Sequence, residues 1–145
     1  MAKEFFTEQE KKEIVDCIQQ AERKTSGEIR VHIERKCKEA VLDRAVSVFA
    51  SLHMHETELK NGVLFYLAVE DHKFAIIGDK GINDAVPANF WDDIKKHMQH
   101  LFRTGQFSQG LKEGILKAGI ALKEHFPYSD DDVNELPDDL SFGTN

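Results

Sequence analysis

Two short apolar runs with a four-residue polar break between them occupy residues 61–81. The first run, residues 61–69, is apolar at odd and even positions alike, which predicts a strand buried on both faces. The break at 70–73 and the second run at 74–81 complete the pattern of a β-hairpin. A strand that is covered on both faces needs helices on both sides of its sheet, so the hairpin restricts the chain to layered α/β folds.

Helical patterns before and after this hairpin supply the covering layers. Residues 7–10 form a capping box, because the Thr7 hydroxyl and the Glu10 carboxylate can each bond the other residue's backbone amide. Apolar residues then recur at helical spacing over residues 14–21, which predicts a first helix. Three later stretches have the same spacing: residues 41–52, 90–102 and 107–122.

Residues 28–34 alternate between apolar and polar side chains. This alternation predicts a strand with one buried face near an edge of the sheet. The order strand, helix, strand favours a parallel pair with a right-handed crossover, to which the hairpin adds an antiparallel strand. The predicted fold is a three-layer α/β/α sandwich with a small mixed sheet and helices on both faces.

The negative charge is concentrated near the end of the chain. Residues 128–145 hold six of the 26 acids and none of the 19 Lys and Arg residues, leaving 20 acids against 19 bases in residues 1–127. We predict one domain over residues 1–127 and a disordered or loosely attached acidic tail over 128–145, with Leu136, Leu140 and Phe142 able to dock on the body. The nearly neutral body lacks the basic surface that nucleic-acid binding requires.

The cysteines and the first residues indicate the cellular environment. Cys17 and Cys37 stand outside any CxxC pair, which predicts reduced thiols rather than a disulfide or a zinc knuckle. Residues 1–9 are charged and lack the apolar core of an export signal, and no run reaches the ~18 apolar residues of a membrane span. We expect a cytoplasmic monomer that binds no membrane, and an unidentified protein partner stays open.

Carboxylates and amides are expected to converge at one edge of the sheet. Parallel strands start at the same edge, and the antiparallel strand ends there, so Glu28, Asn61 and the loop 78–84 should meet. Asp79, Asp84 and Glu28 offer the oxygen ligands that Ca²⁺ and Mg²⁺ prefer, which predicts a divalent-cation site with Asp79 as the first ligand. The alternative interpretation is an acidic turn in which Asp79 bonds only local amides.

Two other groups of polar residues compete with this edge. The carboxyl ends of the parallel strands, where open α/β sheets often bind ligands, carry Glu34, Arg35, Lys36, Glu70 and Asp71. Histidines at helical or near-neighbour spacing suggest a transition-metal site more weakly, because no HExxH motif accompanies them. These histidines are His53 and His55, beside Glu56, and His97 with His100.

Short motifs along the body occur in the order seen in a known family. They are Phe6-Thr7-Glu8, TSGEI at 25–29, Asp43-Arg44-Ala45, NGVL at 61–64, IGDKGI at 77–82, FRTGQF at 102–107 and Gly110-Leu111. As an ordered set they resemble the TPM-domain family, which includes thylakoid-lumen proteins tied to photosystem II repair and many small bacterial proteins. The resemblance implies an α/β/α sandwich and divalent-cation binding, and phosphatase activity has been attributed to a plant member. It supplies no catalytic residue for this chain.

Two classes of function follow from these patterns. The first is a small binding or accessory module that holds Ca²⁺ or Mg²⁺ at its acidic loop. The alternative is a metal-assisted phosphatase acting on phosphomonoesters, in which a cation at Asp79 polarises the ester. The sequence contains no DxD motif after a strand, and its seven histidines form no evident acid–base arrangement. Catalytic residues are therefore unknown at this stage.

Overall fold

The structure is a computed structural model, and it describes residues 4–128 and 135–143. The elements, in chain order, are α1 (Glu8–Glu22), β1 (Glu28–Glu34), α2 (Val41–Ser51), β2 (Gly62–Ala68), β3 (Lys73–Gly78), α3 (Lys80–Ala85), α4 (Asp92–Arg103), α5 (Phe107–Leu122) and β4 (Ser141–Phe142). The capping box that opens α1 has both of its bonds, Thr7 N–H to Glu10 and Glu10 N–H to Thr7, at 2.9 and 3.0 Å.

The four strands of the described chain form one mixed sheet in the order β3-β2-β1-β4. β1 and β2 are parallel, β2 and β3 form the antiparallel hairpin, and β4 runs parallel to β1 on its other side. Side chains at odd positions of β1 and β2 pack against α1, α4 and α5, whereas even positions of β2 pack against α2. The predicted three-layer α/β/α sandwich with a small mixed sheet is confirmed.

Strand β1 is not the half-exposed edge strand that its alternating pattern predicted. It lies between β2 and β4, and its polar residues Glu28, His32 and Glu34 are as buried as its apolar ones. Polar side chains on a strand indicate a solvent-exposed face only when no other segment packs over that face and supplies hydrogen-bond partners. Here α2 and the segment 135–143 cover that face and supply hydrogen-bond partners to it.

Residues 135–143, which belong to the predicted tail, pack against the body. Leu136 is buried, the amides of Glu135 and Leu136 donate to the Glu28 carboxylate, and Gly143 N–H donates to the Ile33 carbonyl at 2.8 Å. The apolar residues of this segment dock on the body, as the sequence suggested: Leu136, Leu140 and Phe142 pack against its hydrophobic clusters. The acids at 130–132 lie outside the described residues.

The glycines of α5 allow close contact between helices. A Cβ on Gly119 would lie 2.8 Å from the Ala21 Cβ in α1, and one on Gly114 would lie 2.4 Å from the Met98 sulfur in α4. Both positions therefore offset their low helix propensity by letting neighbouring helices approach.

Among the described residues, no helix combines the length and the apolar character that crossing a membrane requires.

Candidate functional site

A pocket of about 450 Å³ lies where β3 ends and α3 begins. Asp79, Lys80, Asn83 and Asp84 supply its polar wall, and side chains from α2 and β3 supply the apolar wall. Asp79 is the N-cap of α3, and its Oδ1 accepts the Lys80 backbone N–H at 2.7 Å. The loop that the sequence marked as a cation site therefore lines a cavity of ligand size.

The second carboxylate oxygen of Asp79 is the unusual atom of this pocket. Asp79 Oδ2 is buried, and within the described part of the chain it has no hydrogen-bond partner. Leaving a buried carboxylate oxygen unsatisfied costs about 1–3 kcal/mol or more, so an unpartnered oxygen of this kind calls for an explanation. The N-cap role explains only Oδ1, which means that the acidic-turn interpretation does not account for the whole side chain.

The other two predicted ligands, Asp84 and Glu28, lie in different surroundings. Asp84 is exposed on the wall of the same pocket. Glu28 is not among the residues lining it, because its Oε1 accepts the backbone N–H groups of Glu135 and Leu136 at 2.6 and 2.7 Å. Burial raises the pKa of Glu28 to about 7, against the lowering effect of those two amides. Asp79 and Asp84 thus share a pocket, whereas Glu28 holds the segment 135–143.

The backbone of this edge converges as the topology predicted. Glu28 N–H donates to the Asn61 carbonyl at 3.1 Å, and Asp79 N–H donates to the Gly62 carbonyl at 2.9 Å. Asn61 is buried, and its side-chain amide donates to the Ser26 carbonyl at 2.9 Å. Over residues 4–128 and 135–143, no three His, Cys, Asp or Glu side chains gather as a metal cluster. Any cation at Asp79 would therefore need amide, backbone or water oxygens beside its carboxylates.

The opposite edge of the sheet holds a buried polar cluster on the α2 face. Glu34 is fully buried, and its Oε1 accepts from Arg44 Nε and Nη2 at 2.9 and 2.6 Å. The same oxygen lies 3.0 Å from His32 Nε2, while His32 Nδ1 lies 2.8 Å from the Ser141 hydroxyl of β4. Burial lowers the pKa of His32 despite the adjacent carboxylate. Sequence reasoning named Glu34 at this edge but did not assign a role to His32, a polar position of β1, or to Arg44, which it used only as part of the motif Asp43-Arg44-Ala45.

The loop that follows β1 is fastened to the tip of the hairpin. Arg35 Nε donates to the Glu70 carboxylate, Cys37 N–H donates to Asp71 Oδ2 at 2.7 Å, and Lys73 Nζ donates to the Cys37 carbonyl at 3.1 Å. Among the charged residues predicted at the carboxyl ends of the strands, Arg35 and Glu70 are therefore brought together. Glu70 and Asp71 serve to hold the loop in place.

Comparison with known proteins decides the family. The sequence profile of the TPM domain matches residues 2–120, which is most of the chain. The chain belongs to the TPM-domain family. The resemblance carried by its ordered motifs is thereby confirmed.

Solved structures support the assignment of this TPM domain. The NMR structure of the BA42 protein from the psychrophilic bacterium Bizionia argentinensis is 54% identical, with a TM-score of 0.92 and 97% of each chain covered. The N-terminal domain of a protein from P. gingivalis is 17% identical, with a TM-score of 0.68 over 87% of this chain and 83% of that one. The N-terminal domain of the cg2496 protein from Corynebacterium glutamicum is 10% identical, with a TM-score of 0.66 over 88% and 78%. No curated protein sequence matches the chain.

The histidines of this TPM domain do not form the weaker transition-metal sites. His97 Nε2 pairs with Glu113 Oε1 of α5 at 2.5 Å, which ties α4 to α5. His53 and His55 contact each other at 6.4 Å between ring centroids and are exposed in the loop after α2. In the part of the chain that the structure describes, neither pair acquires a third ligand.

Proposed function

We propose that this TPM domain is a divalent-cation-binding module whose site is the pocket at Asp79. The buried, unpartnered Asp79 Oδ2 is the observation that carries the proposal. A hard cation such as Ca²⁺ or Mg²⁺ would satisfy this oxygen, and Asp84 on the same wall would add a second carboxylate. The module would then serve as a binding or accessory domain rather than as a catalyst.

Lys80 competes with a bound cation for the negative charge of the carboxylates in this pocket. Its exposed side chain shares the wall with Asp79 and Asp84, so its ammonium group can neutralise part of their charge. A site of two carboxylates beside one lysine and no third acidic ligand binds a cation weakly, since affinity for Ca²⁺ rises with the number of charged ligands. The expected cation affinity is accordingly that of a low-affinity site.

Asp79→Asn should abolish saturable cation binding or weaken it by at least roughly tenfold, because it removes one charged ligand. Asparagine is as good an N-cap as aspartate, so α3 should remain folded. The measurement is a Ca²⁺ and Mg²⁺ titration of the full chain followed by amide NMR shifts at residues 78–84. Asp93→Asn, at an exposed position in the first turn of α4, is the matched control and should bind as the wild type does.

Two outcomes of this titration would contradict the proposal. Shifts at residues 78–84 that persist unchanged in Asp79→Asn would remove Asp79 from the site. Shifts confined to other acidic stretches would place cation association elsewhere. An unfolding measurement on each variant shows whether a lost signal reflects lost binding or a lost fold.

Phosphatase activity is the second candidate, and it is favoured by the phosphatase label that the matching family carries. Under this alternative, the cation held at Asp79 would polarise a phosphomonoester bound in the same pocket. Hydrolysis of a generic phosphate ester, measured with and without Mg²⁺ or Ca²⁺ on the same samples, separates the two functions. Turnover that disappears in Asp79→Asn and persists in Asp93→Asn would favour the enzyme.

A further inference from the structure

Strand β3 forms one edge of the sheet. Among the described residues it pairs with a strand on one side only, and that strand is β2. The bond from Asp79 N–H to the Gly62 carbonyl fixes the alternation of the ladder, so every second residue of β3 directs its N–H and C=O groups outward. These residues are Phe74, Ile76 and Gly78. The Gly78 carbonyl accepts the Asn83 side-chain amide at 3.0 Å, so the open part of the edge is at Phe74 and Ile76.

A groove of about 320 Å³ lies along this part of the edge, between α2 and α4. Phe74 and Ala75 of β3 contribute to it, and its two walls come from helices that cover opposite faces of the sheet. The α2 wall consists of Val41 and Leu42, and the α4 wall of Lys95, Lys96 and Gln99. We call it the edge groove. It shares no lining residue with the pocket at Asp79.

The α2 wall is apolar and continues beyond the groove. Leu42 is 57% exposed, and Val46, one helical turn further on, is 58% exposed. Residues four apart lie on the same face of a helix, so these two side chains form one apolar surface beside β3. Such a surface offers contact area to the side chains of a strand that is added at the edge.

The α4 wall is basic. Lys96 is exposed and Lys95 is partly exposed. Among the described residues that line the groove, none is acidic, because the acids of α4, Asp92 and Asp93, lie in its first turn and outside the lining. In a chain whose net charge is -7, two lysines without a lining acid give this groove a local charge that complements an acidic partner.

A second copy of this chain fits the edge groove poorly. A two-fold pairing of β3 with β3 would place the lysines of one copy beside those of the other, and like charges in an interface oppose association. Lysine near an edge strand is a common means of preventing such pairing between copies. Within β3 itself, Lys73 donates to the Cys37 carbonyl at 3.1 Å, so it does not block the open edge. The groove therefore disfavours its own copy and favours a chain of opposite charge.

We propose that the edge groove binds an extended acidic segment of another protein, which adds to the sheet as a further strand beside β3. Its backbone pairs with the outward N–H and C=O groups of Phe74 and Ile76. Successive side chains of a strand point to opposite faces, so alternate residues of the segment meet the α2 wall and the α4 wall. The segment recognised is one in which apolar residues, against Leu42, alternate with carboxylates, against Lys95 and Lys96. This site does not depend on the cation pocket.

The test is a titration of the full chain at low ionic strength with blocked heptapeptides in which glutamate alternates with an apolar residue, followed by amide NMR. Three peptides, with valine, leucine or phenylalanine at the apolar positions, cover the sizes that the α2 wall can contact. We expect saturable shifts at residues 41–46, 73–78 and 95–99. The same peptide with lysine in place of glutamate should bind at least roughly tenfold more weakly, because its charge is reversed.

Methylated peptides test the backbone pairing separately from the charge. Two versions of the acidic peptide carry methyl groups on alternate sets of backbone nitrogens. Alternate N–H groups of a strand point in opposite directions, so one set faces β3 and the other faces solvent. One version should lose binding, and the other should retain it.

Two variants assign the site to its walls. Lys96→Glu should weaken binding of the acidic peptide by roughly three- to tenfold, because it replaces attraction by repulsion. Lys12→Glu, at an exposed position of α1, is its matched control. Leu42→Gln should weaken binding by a similar factor through lost apolar contact. Its matched control is Ile120→Gln, which changes a side chain of α5 that is 56% exposed. Both controls should bind as the wild type does.

Four results would overturn this proposal. The first is the absence of saturable shifts with all three acidic peptides, or equal binding of the lysine peptide. The second is equal binding of both methylated versions, since backbone pairing would then have no part. The third is binding that neither Lys96→Glu nor Leu42→Gln weakens. The fourth is a set of shifts at residues 73–78 that depend on the concentration of the protein alone, since the occupant would then be a second copy.

Discussion

Replacing Gly81 with alanine is expected to lower the free energy of unfolding by about 2–3 kcal/mol. A Cβ at this position would lie 2.2 Å from the Leu59 carbonyl oxygen and 2.5 Å from that of Lys60. Both atoms belong to the backbone that leads into β2, so neither can move aside as a side-chain end would. The collision exceeds the gain of about 1 kcal/mol that alanine gives over glycine in a helix. Urea denaturation of the two proteins measures the difference.

Gly27→Ala is the matched control for this prediction. A Cβ on Gly27 would meet the Leu122 Cδ1 at 3.3 Å, and that methyl is the flexible end of a side chain. We expect a change within about 1 kcal/mol there. If the two alanine variants unfolded at the same urea concentration, the close packing of α3 against residues 59–60 would not be a constraint on the fold. Because Asp79 caps α3, Gly81→Ala should also disturb cation shifts at residues 78–84.

The parts of the fold that local patterns encode could be predicted from the sequence. The doubly buried β2, the hairpin to β3 and the capping box of α1 each depend on residues that are neighbours in the chain. The layered architecture follows from them, since a strand buried on both faces needs helices on both sides. The sequence also placed Asp79 and Asp84 near each other, because one caps and the other belongs to the same short helix after β3.

The parts that depend on distant residues could not be predicted in this way. The polar face of β1 resembles a solvent-exposed face in sequence, and only the arrival of residues 135–143 more than a hundred positions later converts it into an interior. For the same reason Glu28 was grouped with Asp79, although its carboxylate is committed to that later segment. The composition of residues 128–145 indicates disorder, but a few apolar side chains and two amide donors suffice to dock 135–143.

The unpartnered oxygen of Asp79 shows the same limit for a candidate site. The sequence could place Asp79 in an acidic turn, where one of its oxygens accepts a local amide. Whether the second oxygen finds a hydrogen-bond partner depends on how the surrounding residues pack, so its burial without a partner could not be predicted from the sequence.

Glu22→Gln is expected to stabilise the domain near pH 8 and to have little effect near pH 4. Burial, and a hydrogen bond with Asp138, raise the pKa of Glu22 to about 9, and its Oε2 also accepts the Ile29 N–H at 3.0 Å. The folded state therefore holds a proton that the unfolded chain releases above its ordinary pKa of 4.5. This contribution lowers stability as the pH rises from 4.5 towards 9, by up to about 3 kcal/mol at pH 7.

Glutamine separates the proton from the other contacts of Glu22. Its amide can donate to Asp138 while its carbonyl accepts from Ile29, so the protonated carboxyl is reproduced at every pH. Glu28 has the same sign over a narrower window, from 4.5 to about 7, because its pKa is raised by burial as well. The stability of Glu22→Gln should therefore still fall between pH 4.5 and about 7, because Glu28 is unchanged. It should not show the further fall above pH 7 that Glu22 contributes in the wild type.

Urea denaturation of the wild type and Glu22→Gln at pH 4, 6 and 8 tests the sign and the window together. Glu13→Gln is the matched control, because Glu13 is a half-exposed glutamate of the same helix whose pKa is lowered by Gln9 and Lys112. Its stability difference from the wild type should not turn in favour of the variant at high pH. A Glu22→Gln protein that is less stable than the wild type at pH 8 would mean that Glu22 is ionised in the folded state. The contact with Asp138 would then be a repulsion that the fold tolerates rather than a shared proton that fastens residues 135–143 to α1.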